Sequence, residues 1–198
     1  MTSFYWILLA GGLFGLIHSG LATTRAKDLA AQWFGERSRK YYRLFYSIVG
    51  FLTTFLYISL IHLLPDSPIY HIPAPWVILT TLIQAAAILL GIISTLQLTR
   101  NSDFLGLDAL KSRPPERQTR LITSGLYARV RHPLYDCIFI FLLAMPVLSW
   151  NLLAFNIGIV VYTIIGTILE ERKLLKEFDF KYREYQKRTP MFIPIRLK

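Results

Sequence analysis

Apolar residues form five long runs along the chain, separated by polar and mostly basic segments. The runs are Phe4 to Thr23, Tyr42 to Leu64, Trp76 to Leu98, Pro133 to Leu148 and Leu152 to Leu169. A membrane-spanning helix needs about 20 mostly apolar residues, and the first three runs meet that length. The last two are shorter, and the turn at Ser149-Trp150-Asn151 predicts that they form a tight antiparallel hairpin. The pattern therefore predicts an all-α integral membrane protein with five transmembrane helices.

A charged stretch with its own helical pattern follows the fifth run. Leu174, Phe178, Tyr182 and Tyr185 recur at steps of three or four residues, which places them on one face of a helix. We therefore predict a C-terminal amphipathic helix. Its aromatic side chains either cover a polar site or lie at the headgroup boundary, where such helices usually carry aromatics and lysines.

The basic residues predict the orientation in the membrane. All 22 lysines and arginines fall in three segments, Arg25 to Arg43, Arg100 to Arg131 and Arg172 to Lys198. Cytoplasmic loops carry an excess of Lys and Arg, so we predict the N-terminus outside and the C-terminus inside. The net charge of +10 then reflects this bias, and we expect membrane lipids rather than nucleic acid as partners. Met1 to Thr24 has no Lys or Arg before its apolar run, which indicates a retained helix rather than a signal peptide.

We expect a single membrane domain over residues 1–198 with two functional parts. Residues 1–99 form a three-helix N-terminal half, and residues 100–198 form a half that carries the binding chemistry. The single cysteine, Cys137, excludes an internal disulfide and a cysteine metal cluster. We expect no metal in the chemistry.

A cationic cluster marks the start of the fourth run. Arg129, Arg131 and His132 precede Pro133, and proline begins a helix well because its missing N–H needs no partner there. His132 is therefore the predicted N-cap. Cations beside the unpaired N–H groups of a helix start favour an anionic ligand.

Two adjacent carboxylates end the fifth run. In a hairpin, Glu170 and Glu171 come level with Arg131 and His132, and they lie about 100° apart around the helix. One can point into a pocket while the other pairs with an arginine. With aromatic residues on both sides of the cations, such a pocket suits a zwitterion with an aromatic base. The other interpretation is a structural belt of salt bridges at the headgroup level.

The same residues resemble a known superfamily. The motif consists of Thr123 to Tyr127, Arg131 to Tyr135, Glu170-Glu171, Phe178, Tyr182, Tyr185 and Pro194. In this order it resembles the C-terminal half of the isoprenylcysteine carboxyl methyltransferase and phospholipid methyltransferase superfamily, over about Leu121 to Pro194. That half binds S-adenosylmethionine in the family. The resemblance implies cofactor contacts at Leu121, Ile122, Tyr127, His132, Leu134, Tyr135 and Glu170 or Glu171, and the cationic cluster adds Arg131.

Three positions depart from the family pattern. Cys137 and Asp179 stand where the family usually has glycine. Gly166-Thr167 occupy the helical turn in which the carboxyl methyltransferases place an arginine for the substrate carboxylate. The last departure disfavours a prenyl-cysteine carboxylate as the methyl acceptor.

The N-terminal half is similar to NnrU-type membrane proteins and to bacterial methanethiol S-methyltransferases. The likeness rests on Gly15 to Ser19, Gly35-Glu36 and Tyr42 to Tyr46, and Phe104 to Leu107 suits the second group. It implies a small thiol as acceptor, which must become a thiolate to attack.

The candidates for the catalytic base that accepts the thiol proton are His18 and Asp136. The structural alternatives are a bundle histidine bonded to a neighbouring helix and an aspartate paired with Arg129 or Arg43.

The leading hypothesis is a membrane methyltransferase that uses S-adenosylmethionine, with its cofactor site on the cytoplasmic side and a small or hydrophobic acceptor, preferably a thiol. An acceptor of the lipid-amine or prenyl-compound class is favoured if a lateral opening lies between helices. The other alternative is a haem-binding NnrU-like protein, with His18 and either His62 or His132 as ligands.

Overall fold

The computed structural model describes residues 2–99 and 120–193, and the Phe104 to Leu107 motif and Pro194 lie outside these ranges. The helices are α1 Thr2–Ala22, α2 Thr24–Phe34, α3 Arg37–Leu63, α4 Trp76–Thr99, α5 Pro133–Leu143, α6 Trp150–Phe178 and α7 Phe180–Arg188. Two short strands, β1 Pro68–His71 and β2 Val147–Ser149, pair in a two-stranded sheet.

Four of the described helices, α1, α3, α4 and α6, are long and apolar enough to cross a membrane. This confirms the predicted class, a helical membrane protein. The fourth predicted run forms α5, which has only 11 residues and is shorter than the roughly 20 that a spanning helix needs. A fifth span and a closed hairpin therefore stay predictions.

Helix α5 ends at Leu143, so the predicted end at Leu148 was wrong. Pro146 follows soon after, and a proline restricts the residue before it and has no N–H for a helix hydrogen bond. Its carbonyl accepts the N–H of Ile72 at 2.8 Å, and the residues after it form β2. The connection to α6 is therefore an extended segment rather than a tight turn.

The predicted end of the fifth run at Leu169 was also wrong, because α6 continues to Phe178. The two glutamates thus lie inside a continuous helix. The structure adds α2, whose N-cap Thr23 accepts a hydrogen bond from the N–H of Ala26 at 3.2 Å, in a stretch interpreted from its sequence as a basic connection.

The described residues form two compact units. The first comprises residues 2–67 and 149–162, and the second comprises residues 68–99, 120–148 and 163–193. The predicted division into a three-helix half and a cofactor-binding half concerns function and stays a prediction.

The first unit is built around Tyr57, which is buried with Ile7 and Ala154. Its hydroxyl group lies between Gly11 of α1 and Gly158 of α6, where an added Cβ would come within 2.5 Å and 2.3 Å of the hydroxyl oxygen. Both glycines are therefore needed for the tyrosine ring to fit.

The backbone at Asp179 is strained. Asp179 separates α6 from α7 and has φ 38° and ψ −113°, a conformation that glycine adopts far more easily than a residue with a side chain. This conformation explains why glycine suits the position in the superfamily that the sequence resembles.

We expect Asp179→Gly to stabilise the protein by about 0.5–1 kcal/mol through relief of this strain. The lost ion pair with Arg183, 3.5 Å long between exposed side chains, offsets little of the gain. Thermal unfolding in detergent measures the change. Asp179→Ala removes the same carboxylate but keeps the strain, so an equal gain in that variant would contradict the backbone explanation.

Candidate active site

A buried carboxylate organises the polar centre of the second unit. The Glu171 side chain is only 7% exposed, and its two oxygens accept five hydrogen bonds. Arg131 donates two, at 2.8 and 3.0 Å, His132 Nε2 donates one at 2.8 Å, the Tyr182 hydroxyl one at 2.7 Å and the Gln186 amide one at 2.6 Å. The structure thus brings together the cationic and the acidic clusters that the sequence placed 40 residues apart.

The start of α5 positions Arg131 and His132. His132 is the N-cap of α5 and Pro133 its first residue, as predicted, but the imidazole makes no capping hydrogen bond. Its Nε2 instead donates to Glu171, and since a carboxylate only accepts, that nitrogen carries a proton. Arg131 also donates to the Thr189 carbonyl at 2.6 Å. Both side chains therefore form hydrogen bonds with other residues of the chain.

The residues after α7 fold back over the start of α5. The N–H groups of Arg131 and His132 donate to the carbonyls of Pro190 and Met191 at 2.9 and 3.2 Å. The Asp136 carboxylate accepts the N–H of Ile193 at 3.1 and 3.2 Å. Asp136 thus holds the C-terminal segment in place, an arrangement different from the arginine pair that was the structural alternative for this residue.

Helix α7 covers the centre with two tyrosines. Tyr182 is 1% exposed and Tyr185 is also buried, and their hydroxyls donate to Glu171 and to the Tyr127 carbonyl at 2.7 and 2.5 Å. Burial, together with the neighbouring Glu171, raises the pKa of Tyr182 well above its usual range, and burial raises the pKa of Tyr185. Both hydroxyls keep their protons and act as donors. The aromatic face of α7 therefore covers a polar site.

The neighbouring glutamate has a different environment. The Glu170 side chain is 41% exposed, and its carboxylate accepts one hydrogen bond from the Tyr135 hydroxyl at 3.0 Å and lies 3.9 Å from His132 Nδ1. The Tyr135 ring stacks on the His132 ring with centroids 5.5 Å apart. Glu170 thus presents an accessible negative charge beside a stacked aromatic pair.

A short 3₁₀ turn, Gly125–Ala128, holds Tyr127 against α4. The Tyr127 hydroxyl accepts from Ser94 at 3.2 Å, and the Leu126 N–H donates to Gln97 at 3.2 Å. Gly125 has φ 65°, and a Cβ there would lie 2.5 Å from the Gln97 amide nitrogen, so the position favours glycine. Leu121 and Ile122, both predicted cofactor contacts, lie partly exposed just before this turn.

An apolar groove of about 480 Å³ runs beside this centre between α4 and α5. Its walls are Ala87, Ile88, Gly91, Ile92, Thr95, Leu96, Leu134, Cys137, Ile138 and Phe141. Leu134, a predicted cofactor contact, therefore lines the groove. Cys137 is buried in its wall as a free thiol.

His18, the other predicted catalytic residue, belongs to the first unit. Its Nε2 lies 2.5 Å from the Tyr46 hydroxyl on α3, and its ring stacks on Phe14 with centroids 5.5 Å apart. A histidine bonded to a neighbouring helix was the structural alternative for this residue, and the geometry agrees with it. Asp136 lies in the second unit.

Sequence reasoning missed three side chains of the centre. Gln186 lies four residues after Tyr182, on the same helical face, and extending the aromatic pattern by one step would have included it. Ser94 and Gln97 are polar residues near the end of an apolar helix, where such groups usually face the protein interior. Their position near the end of the apolar run was the signal that could have identified them.

The fold and this centre define a helical membrane protein in which a buried glutamate of α6 is ion-paired with an arginine just before the start of α5. The chain belongs to the DUF1295 family, described as a protein of unknown function, whose family model matches residues 14–189.

The chain is also similar in sequence to curated relatives. The chain is 39% identical over 89 residues, 44% of its length and 33% of the relative, to a methanethiol S-methyltransferase of Pseudomonas deceptionensis. It is 28% identical over 197 residues, 96% of its length and 66% of the relative, to methanethiol S-methyltransferase 1 of Bradyrhizobium diazoefficiens. The chain thus spans less than two thirds of the length of each of these relatives. No solved structure matches it.

Proposed function

We propose that the protein is an integral-membrane methyltransferase that uses S-adenosylmethionine and methylates a thiol. The observation that carries the proposal is the accessible carboxylate of Glu170 beside the stacked rings of His132 and Tyr135. The relatives named methanethiol S-methyltransferase support the choice of a thiol, and the resemblance over Leu121 to Pro194 supports the choice of cofactor. When bound, the cofactor supplies a methyl group activated on a sulfonium.

The residues present fit this cofactor with a clear division of roles. Glu170 offers a negative charge for the cofactor ammonium, since its carboxylate is 41% exposed and accepts from one tyrosine hydroxyl. The ring of Tyr135 offers aromatic surface for an adenine or a sulfonium, while Tyr127, only 8% exposed, lies in the interior. Arg131 and Glu171 satisfy each other in the interior, so we assign them to supporting the site rather than to touching the cofactor.

Methyl transfer asks the protein mainly to position the reactants and exclude water. The cover formed by Tyr182 and Tyr185 serves the second need. The acceptor thiol must also lose its proton, and His18 and Asp136 are the proposed bases. The Nε2 of His18 would have to exchange its hydrogen bond to Tyr46, whereas the Asp136 carboxylate has acceptor sites left beside the Ile193 N–H.

We also propose the arrangement in the membrane. Five spans, with α5 and α6 as a hairpin, place the N-terminus outside and the C-terminus inside. The three basic segments support this orientation. The site residues lie within or beside two of these segments, which supports a cofactor site on the cytoplasmic side.

The haem alternative finds less support in the geometry. His18 Nε2 is hydrogen-bonded to Tyr46, and His132 Nε2 is hydrogen-bonded to Glu171, so each imidazole would have to leave a partner to ligate iron. The alternative of a lipid-like acceptor gains support from the apolar groove between α4 and α5.

The test combines binding and turnover on the purified protein in detergent. Titration calorimetry measures S-adenosylmethionine binding, and a methyl-release assay then compares thiols, carboxylates and lipid amines. We expect saturable cofactor binding and transfer to a thiol. Transfer to amines alone would reassign the acceptor. Absence of cofactor binding, or a Soret band in the absorption spectrum, would overturn the proposal.

A further inference from the structure

We propose that the groove between α4 and α5 holds the alkyl chain of the methyl acceptor, so that the protein methylates hydrophobic thiols longer than methanethiol. This inference rests on the proposed function and names its substrate class. The groove and the polar centre both lie in the second compact unit, and the following observations connect them.

The groove is apolar along its whole length. Among its ten lining residues only Thr95 and Cys137 carry a polar side-chain atom. The Thr95 hydroxyl donates to the Gly91 carbonyl at 2.9 Å, so it is already satisfied within α4. Such a lining offers no hydrogen bond to a polar ligand, and burying a polar group without a partner is costly. An aliphatic ligand is therefore the chemistry that suits it.

The groove opens at the surface of a membrane-spanning helix. Its rim on α4 is formed by Ile88, Ile92 and Leu96, which are 53%, 51% and 62% exposed. Helix α4 is one of the four helices long and apolar enough to cross the bilayer. Exposed isoleucine and leucine on such a helix contact lipid, so an aliphatic molecule dissolved in the bilayer has direct access to the groove.

Both walls of the groove lead to the polar centre. On α5, Leu134 lines the groove, and the next residue, Tyr135, donates to the accessible carboxylate of Glu170. On α4, Thr95 lines the groove, while its neighbour Ser94 donates to Tyr127. A chain lying in the groove would therefore end beside the residues that we assign to the cofactor.

The size of the groove favours a chain over a very small molecule. A cavity of about 150 Å³ accommodates benzene, and the groove is about 480 Å³, whereas methanethiol has only two non-hydrogen atoms. The groove follows α4 from Ala87 to Leu96, which corresponds to about 13 Å at 1.5 Å per residue. An extended alkyl chain matches both the volume and the length.

The transfer step is the same for a short or a long thiol. The thiol R–SH gives its proton to the proposed base, His18 or Asp136, and becomes a thiolate. A sulfur lone pair then forms a bond to the methyl carbon as the bond from that carbon to the donor sulfur breaks. The products are the methyl thioether R–S–CH₃ and the neutral thioether S-adenosylhomocysteine.

The experiment measures kcat/KM for methanethiol, butanethiol and octanethiol in wild-type protein and in Gly91→Leu. A Cβ at Gly91 would lie 3.5–3.6 Å from Leu134 and Cys137, so the backbone tolerates a side chain whose remaining atoms fill the groove. We expect kcat/KM for octanethiol to fall about tenfold or more, while methanethiol turnover is unchanged. Gly12→Leu, at a helical glycine with open space around it, is the matched control and should change neither.

Longer thiols also partition into detergent, which affects kcat/KM in every variant alike. The inference is therefore tested by comparing variants with the same thiol, and the trend of kcat/KM with chain length in the wild type does not test it. An equal loss for all three thiols in Gly91→Leu would overturn the inference. If that variant does not fold, Phe141→Ala, which enlarges the far end of the groove, should raise the preference for octanethiol, and an unchanged preference would overturn it. Transfer to methanethiol alone would overturn this inference only, whereas transfer to no thiol would overturn the proposed function with it.

Discussion

Glu171→Gln is expected to destabilise the protein by about 3–5 kcal/mol, because it breaks a buried ion pair and leaves the partner charge without compensation. Arg131 is buried against the carboxylate with a two-bond contact at 2.8 and 3.0 Å. The amide of glutamine has one acceptor oxygen and turns an NH₂ group towards donors. Tyr182 and Gln186 of α7 donate to different oxygens of Glu171, so one of these two donors loses its acceptor as well.

Thermal or denaturant unfolding in detergent measures this loss, with Glu177→Gln as the matched control. Glu177 lies on the same helix and is exposed, and exposed substitutions usually change stability by less than about 0.5 kcal/mol. Comparable stability of the Glu171 and Glu177 variants would contradict the assignment of Glu171 as the carboxylate that holds α5, α6 and α7 together.

The sequence predicted the polar centre because its signals were local and chemically unusual. Charged residues next to long apolar runs are costly in a membrane, so Arg131, His132 and Glu171 needed partners. In the structure both Arg131 and His132 donate to Glu171. The N-cap role of His132 followed from Pro133 alone. These inferences required only the position of each residue in its run.

The sequence did not predict which backbone groups from distant parts of the chain would form hydrogen bonds with these residues. For Asp136, a candidate base, the structural alternative was a pair with an arginine, but the folded-back segment supplies the N–H of Ile193, a backbone contact that side-chain patterns do not reveal. Likewise, the early end of α5 depends on Pro146 and on the pairing of β2 with β1, a strand from a distant part of the sequence. Long-range backbone pairing overrides an apolar pattern that is compatible with either a helix or a strand.

The roles of the two adjacent glutamates were also open from the sequence. A separation of about 100° around a helix shows that they face different neighbours, but not which of them is buried. Burial is decided by α7, since Tyr182 and Gln186 reach Glu171, while Glu170 turns to Tyr135 and remains 41% exposed. This difference gives the proposed cofactor contact a specific test.

Glu170→Gln should weaken S-adenosylmethionine binding about 10- to 150-fold, because a hydrogen bond to a charged group contributes about 1.5–3 kcal/mol, while stability stays within about 1 kcal/mol. The substitution keeps the shape of the side chain and an acceptor for the Tyr135 hydroxyl, but it removes the charge that would attract an ammonium. Titration calorimetry measures the affinity, and unfolding in detergent measures the stability. Glu184→Gln, on α7 and paired with Lys187 at the surface, is the control for a general effect of charge.

The combination of the two glutamate variants separates the supporting role from the binding role. If Glu170 meets the cofactor and Glu171 holds the helices, the first variant loses affinity without losing stability, and the second loses stability first. The opposite pattern, with full affinity in Glu170→Gln, would place the ammonium elsewhere. Glu171 already accepts five hydrogen bonds, so a cofactor could reach it only by displacing some of these donors. In that case the Tyr182→Phe variant, which lacks one donor, would bind the cofactor with a different affinity from the wild type.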